Sequence, residues 1–179
     1  NASYNCLDRH VEAGLGGRVA YHWFGEEGEQ REITYEQLLA EVKRTANALK
    51  ARGVGAGDVV GIYLPMIPEV VVAMLACARI GAPHNVVFGG FAPESVRERM
   101  EVSNAKALFV PDGARRKGKT APVKAEVDAV MGELADLETI FVVRNTGIET
   151  PMLEGRDVWL DEICADVDAE CPAEPLGAE

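Results

Sequence analysis

Val59-Val60-Gly61-Ile62-Tyr63-Leu64, then Pro68 to Ile80, then Asn85-Val86-Val87-Phe88, is the stretch that decides the fold. The first and third pieces are apolar runs of strand length without alternation. The middle piece is a helix with Pro68 in its first turn and Gly81 past its end. It is apolar on nearly all sides, which predicts deep burial. The pattern repeats downstream. Pro93 to Ser103 reads as a more polar helix, and Ala107 to Val110 as a strand. Val123, Val127, Val130, Met131 and Leu134 mark another helix, and Thr139 to Val143 another strand. Leu160, Ile163, Cys164 and Val167 close with a short helix. Unalternating apolar strands between helices predict an α/β fold: a three-layer, doubly wound, mainly parallel sheet covered on both faces. Such sheets take ligands at the carboxyl ends of their strands, which directs attention to the loops after Leu64, Phe88 and Val110.

Upstream of this pattern, Val19 to Phe24 and Glu32-Ile33-Thr34 read as a β-hairpin outside the central strand order. Thr34 and Gln37 match a capping box, with Ile33 placed to pack on Leu38. Tyr35, Leu38, Leu39, Val42, Ala46 and Leu49 share one helical face, and Gly53 stops the helix. Asn5 to Ala13 reads as a short helix before the glycines at 14, 16 and 17.

Composition removes several function classes. The 179 residues suffice for one domain or a piece of a larger one. The net charge of −11 argues against nucleic acid and against an anionic membrane surface as partners. No apolar run reaches the roughly 18 residues of a membrane span. Cys6, Cys77, Cys164 and Cys171 are scattered without metal spacing and read as reduced thiols of a cytoplasmic protein. His10, His22 and His84 form no metal or catalytic pattern. Asp161 and Glu162 read as a solvated helix start. No dinucleotide fingerprint, Walker loop or nucleophile elbow is present. The missing initiating Met and the polar close at Pro175 to Glu179 read as an excised piece.

Two segments carry candidate chemistry. In Pro111 to Lys119, four of the 18 positive charges fall within five residues: Arg115, Arg116, Lys117 and Lys119. Gly113 and Gly118 allow tight turns around them. The loop follows a strand on the ligand edge, so it reads as an anion clamp for a phosphorylated ligand, or else as a solvated basic loop. In Phe88-Gly89-Gly90-Phe91, a strand ends in paired glycines between aromatics. It reads as a close approach to a flat ligand, or as a plain strand-to-helix turn.

Tyr4-Asn5-Cys6-Leu7-Asp8-Arg9-His10, Pro65-Met66-Ile67-Pro68-Glu69, Met74 to Ala82, Val86 to Phe91, Ser103-Asn104-Ala105-Lys106 and Glu170-Cys171-Pro172 resemble, in colinear order, the AMP-forming acetyl-CoA synthetases of the adenylate-forming superfamily. The resemblance implies an acetate–CoA ligase that uses ATP, with magnesium, to make acetyl-adenylate and diphosphate. Coenzyme A (CoA) then yields acetyl-CoA and AMP. It implies that residues 1–179 are the N-terminal part of a large domain, ending before the ATP phosphate loop, with the C-terminal domain further on. The rest of the same chain would then be a partner, and the piece alone is expected to be inactive, with no catalytic residue of its own. Phe88, Gly89 and Gly90 match the segment beside the CoA nucleotide. Arg115, Arg116, Lys117, Gly118 and Lys119 match the segment holding CoA phosphates, where Lys119 replaces a customary Arg. Ala121 stands where a larger aliphatic residue packs on adenine. A propionate-specific ligase and a stand-alone nucleotide-binding module are the alternative readings.

Overall fold

Thr34 starts the first long helix in the way its side chain suggests. Its hydroxyl accepts the Gln37 N–H at 3.2 Å, and the Gln37 side chain accepts the Thr34 N–H at 3.0 Å. Two first-turn donors are thereby satisfied at once. Ahead of this helix, α1 (Tyr35–Ala51), lies the hairpin of β1 (Val19–Phe24) and β2 (Gln30–Thr34), paired antiparallel as a separate two-stranded sheet. The computed structural model describes residues 1–116, 118–132 and 134–177.

The central sheet holds β3 (Val60–Ile62), β4 (His84–Val86), β5 (Ala107–Pro111), β8 (Thr139–Val143) and β9 (Asp157–Trp159). Their order is β4-β3-β5-β8-β9 and every pairing is parallel. The helices are α2 (Pro68–Ile80), α3 (Pro93–Val102), α4 (Val123–Met131) and α5 (Leu160–Asp166). A short antiparallel hairpin, β6 (Ala114–Arg116) with β7 (Lys119–Ala121), leaves the carboxyl end of β5.

Strand alternation divides the core in two. Ala107, Phe109, Phe141 and Val143 join α1, α2 and α5 on one face, and Phe109 stacks on Phe141 with ring centroids 4.9 Å apart. Leu108, Val110, Ile140 and Val142 join α3 and α4 on the other. The crossover from β3 through α2 to β4 steps one way across the sheet. The next, through α3 to β5, steps back past β3. With right-handed crossovers this reversal moves the helix to the opposite face and opens a crevice between the carboxyl ends of β3 and β5. The three-layer, doubly wound reading is thus met.

Helix α2 begins with Pro68 and ends at Gly81, whose φ of +74° a side chain would strain. Its face toward α1 and the sheet is fully buried, while Val70, Val71, Met74 and Leu75 are half-buried. Gly61 in β3 has a packing reason: an added Cβ would run into Met100 Sδ and lie 2.7 Å from Leu108 Cδ1. Gly61→Ala is therefore expected to cost about 1–2 kcal/mol, the low end of overpacking because Met100 can bend. That is a fall of roughly 2–8 °C in thermal midpoint. Wild-type melting of this variant would contradict the packing argument.

Four elements differ from the sequence reading. The N-terminal helix is two wide π-helical turns, Tyr4–Asp8 and Val11–Leu15, broken where Gly14 has φ +77°. Strand β9 was not anticipated, because three half-buried residues at a sheet edge show no period. The basic loop is partly a hairpin rather than irregular, turning at Gly118 with φ +73°. The helix expected to reach Leu134 stops at Met131.

Candidate functional site

Four loops meet at the carboxyl ends of the parallel strands, over the crevice between β3 and β5, and enclose a cleft of about 870 Å³. Leu64, Pro65, Met66 and Ile67 follow β3. Val86 closes β4, and Val87, Phe88, Gly89 and Gly90 follow it. Ala114, Arg115 and Arg116 follow β5, and Asn145 follows β8. The tip of the β1–β2 hairpin forms the remaining wall, with Trp23 to Glu27 and Glu29. The Trp23 indole N–H donates to the Met66 carbonyl at 2.7 Å and fastens that wall to the β3 loop.

Phe88 is 66% exposed, which is unusual for a side chain that size and leaves its ring free to stack on a flat ligand. It meets Phe91 edge-on at 6.4 Å, and the Arg99 guanidinium lies 5.3 Å from the Phe91 ring. The glycines have an internal cause as well. A Cβ on Gly89 would sit 3.2 Å from the Leu64 carbonyl oxygen, and one on Gly90 would sit 2.5 Å from the Phe88 ring. Paired glycines thus let the β4 loop fold down on the β3 loop.

The two arginines are not equivalent. Arg116 donates from Nη2 to the Gly89 carbonyl, so the basic hairpin and the Phe-Gly-Gly loop are joined directly. Tyr63 sits beneath them and donates to the Phe91 carbonyl at 2.8 Å. Burial pushes the Tyr63 phenol above its ordinary value, with the Arg116 charge opposing. Arg115 instead reaches the hairpin tip, 3.2 Å from Glu27 and 3.6 Å from Glu29. All three side chains are more than a third exposed, so these pairs contribute on the order of 0–1 kcal/mol and an anion can displace them.

Of the residues anticipated from sequence, Phe88, Gly89, Gly90, Arg115 and Arg116 line one cleft. Gly118 and Lys119 are exposed and do not line it. Lys117 lies outside the described residues. Ala121, in β7, is half-buried and packs against the α3–α4 core. Glu27, Glu29 and Asn145 were not anticipated. The Asn145-Thr146-Gly147 turn after a strand was the available signal for Asn145. The two glutamates carried none in so acidic a chain. His84 opens β4 at its amino end, on the far edge from the cleft, and burial lowers it below its ordinary value. Among the described residues no group of three or more His, Cys, Asp or Glu side chains converges as a metal site.

In chemical terms the cleft offers an exposed aromatic ring, two glycine backbones and a fixed guanidinium. These suit a flat ring and an anionic group on one ligand. Among known sequences, residues 7–176 match the family described as AMP-binding enzyme. The chain is 51% identical over 180 residues to the acetyl-coenzyme A synthetase of Rubrobacter xylanophilus. It is 52% identical over 179 residues to that of Streptomyces avermitilis, and 49% over 180 to that of Halorhodospira halophila. Each alignment covers 100% of this chain and 28% of the relative. The chain therefore spans a little over a quarter of the length of the curated relatives it matches.

Proposed function

Because this chain belongs to the AMP-binding enzyme family, we propose that it serves as the N-terminal part of the large domain of a cytoplasmic acetate–CoA ligase and supplies part of the CoA nucleotide site. The reaction runs in two steps. Acetate oxygen attacks the α-phosphorus of ATP, giving acetyl-adenylate and diphosphate. The CoA thiol then attacks the acetyl carbonyl, loses its proton, and expels AMP. Magnesium accompanies ATP in this chemistry. The described residues assemble no cluster that fits the ion.

This stretch of chain has a binding role. Phe88 offers a ring face to the nucleotide, and Gly89 and Gly90 let it come close to the backbone. Arg116 offers its remaining guanidinium donors to a phosphate of CoA, which this reading assigns as the 3′-phosphate. The observation that carries the reading is the hydrogen bond from Arg116 to the Gly89 carbonyl, which joins two segments 27 residues apart into one cleft. No described helix is long and apolar enough to cross a membrane.

Arg116→Ala in the full-length ligase tests it. A charge-assisted contact contributes about 1.5–3 kcal/mol. Arg116 is exposed, so the low end applies, roughly a tenfold rise in the constant for CoA. Acetate-dependent exchange of labelled diphosphate into ATP precedes CoA and should persist. This chain alone should give no exchange. Dephospho-CoA should be far less sensitive to the substitution. Equal losses with CoA and dephospho-CoA would remove the 3′-phosphate assignment.

A further inference from the structure

Asp112 is only 1% exposed, yet it sits one residue past β5 at the foot of the basic hairpin. Its carboxylate is consumed by backbone donors. Oδ1 accepts the N–H groups of Gly113 at 2.5 Å, Asn145 at 3.0 Å and Thr146 at 2.9 Å, and the Thr146 hydroxyl at 3.2 Å. Oδ2 accepts the Gly147 N–H at 2.7 Å. The main chain of Asp112 extends the same tie, donating to the Val143 carbonyl at 2.8 Å and accepting from Lys124 N–H at 3.3 Å. Beside it, the Asn145 amide donates to the Gly113 carbonyl at 2.9 Å. Gly113 is the point of closest approach: a Cβ there would lie 2.6 Å from Thr146 Oγ1 and 2.8 Å from the Ala121 carbonyl.

We propose that Asp112 is the positioning residue of the cleft, fastening the loop after β8 to the foot of the β6–β7 hairpin and so fixing Arg116 and Asn145 relative to Gly89. The inference rests on the CoA reading above. A carboxylate is required because both oxygens must accept. An asparagine in either flip would turn its NH2 group toward backbone N–H donors. The hairpin carrying Arg116 is two three-residue strands with no third partner strand among the described residues, so its own ladder cannot hold a guanidinium still. The loop after β8 has no regular structure, and Asp112 is what the N–H groups of Asn145, Thr146 and Gly147 share.

The test compares Asp112→Asn and Arg116→Ala in the full-length ligase, reading CoA affinity and acetate-dependent diphosphate exchange separately. Displacement by ~1 Å costs up to about a hundredfold, and Asp112→Asn is expected to weaken CoA about tenfold while exchange persists. If Arg116→Ala leaves CoA affinity unchanged, the CoA reading fails. If Arg116→Ala weakens CoA and Asp112→Asn does not, the positioning role fails. Loss of CoA affinity and exchange together in Asp112→Asn would make the residue merely structural and also overturn the role. The unmodified protein gives an independent readout by amide hydrogen exchange. Added CoA should slow the Thr146 and Gly147 amides along with those of β6 and β7. Protection confined to the β6–β7 hairpin would overturn the proposal even where the variant does not fold.

Discussion

Lys124→Met lowers stability by about 3 kcal/mol, the low end for a broken buried ion pair. Lys124 and Asp157 side chains are both 0% exposed and lie 2.7 Å apart. Lys124 also pairs with Asp128 and donates to the Pro151 carbonyl at 3.2 Å. Asp157 additionally accepts from Arg156 at 2.6 Å and from the Leu153 N–H at 2.8 Å. Removing the ammonium leaves Asp157 with Arg156, which is why the low end applies. At a urea slope of ~2 kcal/mol per molar, the midpoint should fall by about 1.5 M. Burial pushes the Asp157 carboxyl up, but hydrogen bonds from Arg156, Leu153 and Lys124 outweigh it and hold the group below its ordinary value. A carboxylate depressed in the folded state contributes stability above its unfolded value, near 3.9, and loses it as pH falls through the folded value. Without Lys124 the folded value rises toward the unfolded one, so this acid-sensitive contribution shrinks and stability should fall less steeply as pH drops below about 4. An unchanged urea midpoint would show that the pair contributes nothing net. Adding Asp157→Asn should cost less than the two single changes summed, because the partner charge is already gone.

What the sequence made readable is what local chemistry dictates. The capping box of α1, Pro68 and Gly81 around α2, and the apolar runs of β5 and β8 each carry their own signal, and each forms within a residue or two of its expected bounds. Parallel order followed from strands buried on both faces. Strand β9 escaped because a three-residue edge strand, one of whose members is the charged Asp157, shows no apolar period. The wide turns at the N-terminus escaped because Leu7, their single buried residue, gives no period.

The site divides along the same line. The clustering of Arg115 and Arg116 and the Phe-Gly-Gly step were visible as residues, and their convergence followed from both loops lying at the carboxyl edge. Which arginine faces which partner was not visible. Glu27 and Glu29 lie more than 80 residues before Arg115 and look like ordinary turn residues. Asp112 looked like part of a turn, because its partners at 145–147 come from another strand's loop. Such pairings depend on sheet order, and strand order is a long-range property that no window of sequence encodes.

Arg79→Met is the second large effect, about 2–4 kcal/mol. Arg79 stands in the last turn of α2 with its side chain 1% exposed. Nη1 and Nη2 each donate to Asp8 at 2.8 Å, a two-bond fork, and Nε donates to the Cys171 carbonyl at 2.5 Å. One guanidinium thus joins the N-terminal turns and the segment 171–174 to α2. Asn1 reinforces it, donating to the carbonyls of Ala78, Arg79 and Glu174. Methionine fills much of the volume but leaves Asp8, 14% exposed, and the Cys171 carbonyl without their donor. Lysine keeps the charge and loses the fork, so Arg79→Lys should recover only part of the loss. Burial raises the Asp8 carboxyl, while the Arg79 bonds and charge outweigh that and lower it. Its stabilisation is therefore present above the unfolded carboxylate value and lost as pH drops through the folded one. In Arg79→Met that acid-sensitive contribution should vanish, flattening stability against pH below about 4. Amide exchange should quicken first at residues 3–9 and 171–174, since those segments depend on the fork, while β5 and β8 stay protected until global unfolding. Uniform quickening across the sheet would mean that Arg79 supports the whole core rather than tying two segments to α2.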